Sequence, residues 1–109
     1  MRRVVVTGMG MVSPLGLGVG HNWARLIAGK SGIRKIDEFE CADISSQVAG
    51  LVPKTTDENP PPGVLNFEKF ILPKELRRID RFIAFGIIAA QEAVEDSGWK
   101  PQDEEGQYR

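Results

Sequence analysis

The opening residues Arg3-Val4-Val5-Val6-Thr7 form a continuous β-branched run closed by Gly8. A short run of this kind predicts a strand buried on both faces, as in a layered α/β fold. Gly8, Gly10, Pro14, Gly16, Gly18 and Gly20 crowd the next stretch, where the backbone must turn tightly or pass close to something. A first helix is then predicted, with Asn22 as its N-cap and Trp23, Leu26 and Ile27 on one face. Gly29 supplies a left-handed stop. Residues 32–43 read as irregular with one or two short extended pieces. Gln47 to Val52 alternates polar and apolar positions, which suits a short strand ended by Pro53.

From Pro53 to Gly63 three successive prolines, Pro60-Pro61-Pro62, forbid helix and sheet and predict an exposed, polyproline-like surface loop. A ligand for a proline-recognition domain is the functional alternative to a plain surface insertion. The longest helix is predicted over Pro73–Ser97. Proline suits its first position, and Leu76, Ile79, Ile83, Ile87, Ala90 and Val94 form one apolar stripe. Gly98 ends it and Pro101 follows. Between Phe82 and Ala90 the helix is apolar almost all round, so it expects cover on several sides. One strand and one shorter helix are too little cover, because a sheet needs several strands. The tail Asp103–Arg109 adds no closing element, and the pattern is that of a fragment.

Composition narrows the function classes. The chain has 109 residues, 41% hydrophobic and 27% charged, the range of one small globular domain. A formal net charge of -1 recruits neither nucleic acid nor a membrane surface, and the aromatic residues do not interleave with basic runs. Arg2-Arg3 is followed by too short an apolar stretch for a signal peptide, and no segment reaches the roughly 20 apolar residues of a membrane span. The expected compartment is the cytoplasm. One cysteine excludes an internal disulfide, and Cys41 with His21 is too little for a zinc site.

Candidate chemistry is sparse. Gly8-Met9-Gly10-Met11-Val12-Ser13 follows a predicted strand but has serine where a dinucleotide fingerprint needs its third glycine. Gly29-Lys30-Ser31 lacks the earlier glycine of a phosphate loop. Cys41 lies between Glu40 and Asp43, which oppose thiolate formation, so a structural cysteine is expected there. His21 has no orienting carboxylate nearby in sequence. Lys74, Arg77, Arg78 and Arg81 recur at i, i+3, i+4 and i+7 and therefore share a face of the predicted long helix. Positive charge at a helix N-terminus opposes the macrodipole. A solvated face softened by Glu75 and Asp80, or a docking patch for an acidic partner, both fit that cluster.

Three segments, in order, resemble the β-ketoacyl synthase family. Residues 3–16, reading Arg-Val-Val-Val-Thr-Gly-Met-Gly-Met-Val-Ser-Pro-Leu-Gly, resemble the family's opening strand and loop. Trp23 to Ile33 is similar to its W-x-x-L-x-x-G-x-S-G-I segment. Lys74 to Phe82 and Ala89 to Gly98 resemble the next long helix, in the form of the synthase II branch of bacterial fatty-acid synthesis. The Pro53–Gly63 loop departs from the family pattern in length and proline content.

The resemblance implies a thiolase-like αβαβα layered α/β fold, of which residues 1–109 are an incomplete amino-terminal portion. It implies a decarboxylative Claisen condensation between an acyl thioester and malonyl-acyl-carrier protein, with no metal or redox cofactor, in a homodimeric cytoplasmic acyltransferase. The family's nucleophile sits in an Ala-Cys-Thr/Ser segment that Phe39-Glu40-Cys41-Ala42-Asp43 does not match, and His21 matches neither family histidine. No catalytic residue is therefore expected here. Lys74, Arg77 and Arg78 fall on positions that in synthase II relatives contact the acidic acyl-carrier protein. Arg81 continues the face outside the matched pattern. A non-catalytic carrier-docking module is the competing reading, and a nucleotide-binding domain would need a phosphate ligand at Gly8–Ser13. If the chain is a fragment, residues 1–109 alone will unfold gradually on heating. A sharp two-state melt of that polypeptide would contradict the fragment reading.

Overall fold

The glycine-rich segment after the first valines turns back on itself at Pro14-Leu15. Strands β1 (Val12–Ser13) and β2 (Gly16–Leu17) pair antiparallel, with Val12 opposite Leu17 and Ser13 opposite Gly16. The backbone N–H of Leu15 donates to Ser13 Oγ at 3.1 Å and closes the turn. The computed structural model describes residues 1–100, so Pro101 and the tail Asp103–Arg109 lie outside the described residues.

Helix α1 (Val19–Ile27) starts earlier than its sequence indicated. Asn22, expected as the N-cap, lies inside the helix with its side chain buried. Its Nδ2 donates to the carbonyls of Gly16 at 2.9 Å and Gly18 at 2.7 Å, and its Oδ1 accepts from Ser13 Oγ. The residue at the N-cap, Gly18, has no side chain to offer. Cover for the helix end comes from far along the chain, where Glu92 Oε2 accepts the Val19 N–H at 3.0 Å. A carboxylate at this place also complements the helix dipole. Gly29 at φ 72° stops α1 as expected.

Strands β3 (Ile33–Lys35) and β4 (Val48–Gly50) form a second antiparallel pair, with Arg34 opposite Ala49. The Ile36 N–H extends the ladder to the Gln47 carbonyl at 2.8 Å. Beyond β4 the chain is fastened at both ends of its proline-rich stretch. Leu65 N–H donates to Pro53 O at 2.9 Å, and Thr55 N–H donates to Leu65 O at 2.8 Å. Asn66 then caps a 3-10 turn (Phe67–Lys69) by accepting the Glu68 N–H at 3.0 Å, while its Nδ2 donates to Asp57 O at 2.7 Å.

The helix predicted over Pro73–Ser97 is two helices, α2 (Pro73–Leu76) and α3 (Arg81–Ser97). Asp80 is extended at φ -76° and ψ 162°, and its carbonyl accepts the Ala84 N–H at 3.1 Å as the first bond of α3. Aspartate suits such a helix-start position. The break lets Leu76 and Ile79 pack on the same core as α3 without continuing its axis. It also turns α3 about one residue from the expected stripe. Ala84 and Ile88 are buried, whereas Ile83, Ile87 and Val94 are exposed. Gly98 at φ 70° ends α3 as expected.

Leu65, Ile71, Ala84 and Ile88 form the core, with Val12, Leu17, Val52, Phe67, Phe70 and Phe85 packed against it. The rings of Phe67 and Phe85 stack with centroids 5.7 Å apart. Full burial of a side chain such as Leu65 or Ile88 is worth about 1.5–3 kcal/mol. The glycine segment reaches α3 by backbone contact. A Cβ on Gly10 would lie 1.7 Å from the Ala89 carbonyl oxygen, and one on Gly8 would lie 2.2 Å from that of Ala93.

Val4, Val5 and Val6, the predicted opening strand, are instead exposed and unpaired among the described residues. The hydrophobic pattern is a strand's, but no described strand lies beside it to supply hydrogen bonds. Trp23, Leu26 and Ile27 of α1 are also exposed, and on α3 Phe82, Ile83 and Ile87 are exposed while Ala84 and Ile88 are buried, so α3 is covered along one side rather than several. The radius of gyration is 17.0 Å, against about 13 Å for a compact chain of this length. Mixed helix and short strand is the architecture. No helix among the described residues is long and apolar enough to cross a membrane. The closeness of Gly10 to α3 has a direct consequence. Gly10→Ala in the full-length protein will lower stability by about 1–3 kcal/mol, read from the urea midpoint, and an unchanged midpoint would show that the contact gives way.

Candidate docking surface

Pro73 opens α2 at a position where its missing N–H costs nothing. Lys74 stands on the first turn of α2, and Arg77 follows as the C-cap in helical geometry. The Arg78 N–H donates to the Glu75 carbonyl at 3.0 Å, which carries the turn one residue further. Lys74, Arg77 and Arg78 are therefore presented together on one exposed segment. None has an ion-pair partner among the described residues.

Arg81 does not join them. The extended Asp80 separates it from α2, so the i+7 relation of a single helix is lost. The physical cause is the helix break, which the local cation pattern does not encode. Arg81 Nη1 instead donates to Glu38 Oε2 at 2.9 Å. Glu38 Oε1 takes Lys54 Nζ in a second ion pair. The residue thus joins three separate parts of the chain: the segment after β3, the start of the proline-rich stretch and the N-terminus of α3. Sequence reasoning missed Glu38, and no local signal marks it, since its partners are 16 and 43 residues away.

The other sequence candidates serve packing. Cys41 is buried, with its Sγ 3.9 Å from the Ile36 carbonyl. His21 lies against Gly16 and Gly63, where a Cβ on Gly63 would come within 2.2 Å of its Nε2. In the Gly8–Ser13 segment the Met9 N–H donates to Asp96 Oδ2 at 3.1 Å and the Met11 N–H to Glu92 Oε1 at 2.8 Å. These amides meet carboxylates and leave no cradle for a phosphate. Among the described residues no group of three His, Cys, Asp or Glu is placed to hold a metal ion.

The model of the β-ketoacyl synthase N-terminal domain matches residues 1–108. This chain belongs to the β-ketoacyl synthase family. It is 44% identical to the 3-oxoacyl-[acyl-carrier-protein] synthase 2 of Rhizobium meliloti over 107 residues, which is 98% of this chain and 25% of that protein. It is 42% identical to the synthase 2 of Vibrio cholerae over 103 residues, 94% of this chain and 22% of that protein. The mitochondrial 3-oxoacyl-[acyl-carrier-protein] synthase of Arabidopsis thaliana is 38% identical, covering 99% of this chain and 25% of that protein. This chain therefore spans about a quarter of the length of the curated relatives it matches. These bacterial relatives carry the synthase 2 name, in line with the branch that the segment around Lys74–Phe82 resembles.

Among the described residues Glu38 also carries the clear electrostatic signature. Hydrogen bonds from Lys54 and then Arg81 hold its carboxyl at about 2, below the ordinary 4.5. A depressed carboxylate stabilises the fold fully above the ordinary value, and that contribution is lost as pH falls through about 2. Between pH 6 and 8 the group changes nothing. In the full-length protein the stability difference between wild type and Glu38→Gln will accordingly hold steady above about pH 4.5 and shrink toward pH 2. Urea midpoints at a series of pH values measure it, and a difference that grows on acidification would refute the ion-pair assignment.

Proposed function

We propose that this chain is the front part of a 3-oxoacyl-[acyl-carrier-protein] synthase that elongates fatty acids in the cytoplasm. The enzyme condenses an acyl thioester with malonyl-acyl-carrier protein. Loss of carbon dioxide from the malonyl group supplies the carbon nucleophile, which attacks the acyl thioester carbonyl and expels the thiolate to which the acyl group was bound. The support is the family match together with relatives of that name aligned over nearly the whole chain. Within this reading, the reactive cysteine and the histidines come from outside residues 1–109, and the enzyme works as a homodimer. Its thiolase-like layers cover the apolar side chains of Val4–Val6, Trp23, Leu26 and Phe82, which are exposed here. That arrangement accounts for so much apolar surface on a small unit.

The part assigned to this chain is carrier recognition. Lys74, Arg77 and Arg78 form the contact for an acidic acyl-carrier protein, and the observation behind it is that all three are exposed and free of ion pairs among the described residues. Opposite charges on two surfaces speed encounter and fix orientation more than they add affinity. Reversing the three to glutamate in the full-length protein will raise the KM for the acyl-carrier-protein substrate by about tenfold or more, each charge being worth about 1 kcal/mol or less. Turnover of a small thioester without a carrier will stay close to wild type. An unaltered KM for the carrier substrate would remove the docking assignment.

A further inference from the structure

Glu38 and the docking segment meet through Arg81. Arg81 lies three residue steps after Arg78, a reach of at most about 11 Å. That is close to the screening length of roughly 10 Å at 0.1 M salt. A free guanidinium at position 81 would therefore add to the field of Lys74, Arg77 and Arg78. In the structure it is not free, because Glu38 Oε2 accepts from Arg81 Nη1 at 2.9 Å while Oε1 takes Lys54. Glu75 and Asp80 are the acidic residues on the docking segment itself, and both are exposed. Arg81 is the first residue of α3, where positive charge opposes the helix dipole. One carboxylate thus answers an unfavourable cation and lowers the charge that the docking face shows to a partner.

We propose that Glu38 is a charge regulator of the carrier-docking face, holding Arg81 out of the field that recruits the acidic acyl-carrier protein. This rests on the docking reading of Lys74, Arg77 and Arg78. The consequence is a face weaker than its cation count implies. A synthase must release one carrier and accept the next in every cycle, so moderate attraction favours turnover over tight binding. Glu38 touches no substrate in this reading. It is a positioning residue that acts through Arg81.

Stopped-flow association of the full-length protein with purified acyl-carrier protein tests this. Glu38→Gln keeps the side-chain size, removes the charge, and is expected to raise the association rate about two- to threefold at low ionic strength. The gain should vanish at roughly 1 M salt, where the screening length is about 3 Å. Glu38→Asp, which keeps the charge, should stay near wild type, and Glu38→Gln with Arg81→Gln should return the rate to wild type. A merely structural role would not produce that compensation. Should Glu38→Gln fail to fold, Arg81→Gln alone carries the test with opposite sign, slowing association about twofold at low salt. If these variants leave the rate unchanged while reversal of Lys74, Arg77 and Arg78 still slows it, the regulator role is overturned and docking stands. If that triple reversal has no effect either, the docking reading fails first and Glu38 falls with it.

Discussion

Glu92 sits in the middle of α3, and its two carboxylate oxygens accept backbone N–H groups from two other parts of the fold. Oε1 takes the Met11 N–H at 2.8 Å and Oε2 takes the Val19 N–H at 3.0 Å. The first bond holds the glycine segment along α3, and the second caps the first turn of α1. Hydrogen bonds to a charged group are stronger than those between neutral ones. This one side chain fixes both the position of the segment and the start of the helix after it. The buried Asn22 completes the arrangement from the other side by filling the Gly16 and Gly18 carbonyls. The β1–β2 hairpin then lies where Val12 and Leu17 can join the core.

That arrangement explains why the glycines are there. Gly8 and Gly10 are places where the backbone runs against the carbonyls of Ala93 and Ala89, and a methyl group would not fit. The glycine-rich opening is thus a helix-packing device, and its Met9 and Met11 amides are taken by the carboxylates of Asp96 and Glu92. The same economy appears at the N-terminus of α3, where Glu38 answers Arg81 from another part of the chain. In both places a backbone or side-chain requirement at one helix end is met by a carboxylate remote in sequence.

What could be read from sequence divides along that line. The stops at Gly29 and Gly98 were legible because left-handed backbone is a local demand that glycine meets. The strand at Val48–Gly50 was legible from the alternation of Gln47 to Val52, whereas Ile33–Lys35 fell in a stretch where extended pieces were expected but not placed. The start of α1 was not, since Glu92 supplies its cap from 73 residues away. Nor was the break at Asp80, because the apolar stripe is continuous through it and packing of Leu76 and Ile79 decides the bend. The Val4–Val6 run kept its strand-like composition, but pairing needs a neighbour and composition cannot provide one. Around α2, Lys74, Arg77 and Arg78 lie exposed on the short helix and the turn after it, but the single helix face that spacing drew through them was broken at Asp80. Spacing had also set Arg81 on that face, and its partner Glu38 only tertiary structure could disclose.

On the proposed docking reading, the helix break matters to recognition as well as to packing. A straight helix from Pro73 to Ser97 would stack four cations at its positive end, where each works against the dipole. Dividing it at Asp80 leaves three on a short solvated turn and assigns the fourth to Glu38. The cations left on the turn bear little burial cost, since they remain in water until a partner arrives. Their attraction for an acidic surface is long-ranged enough to steer encounter and weak enough, once screened, to permit release. On the proposed docking reading, carrier binding is sensitive to ionic strength and is tuned through Arg81 by Glu38, which lies far from the segment in sequence but pairs with Arg81 in space.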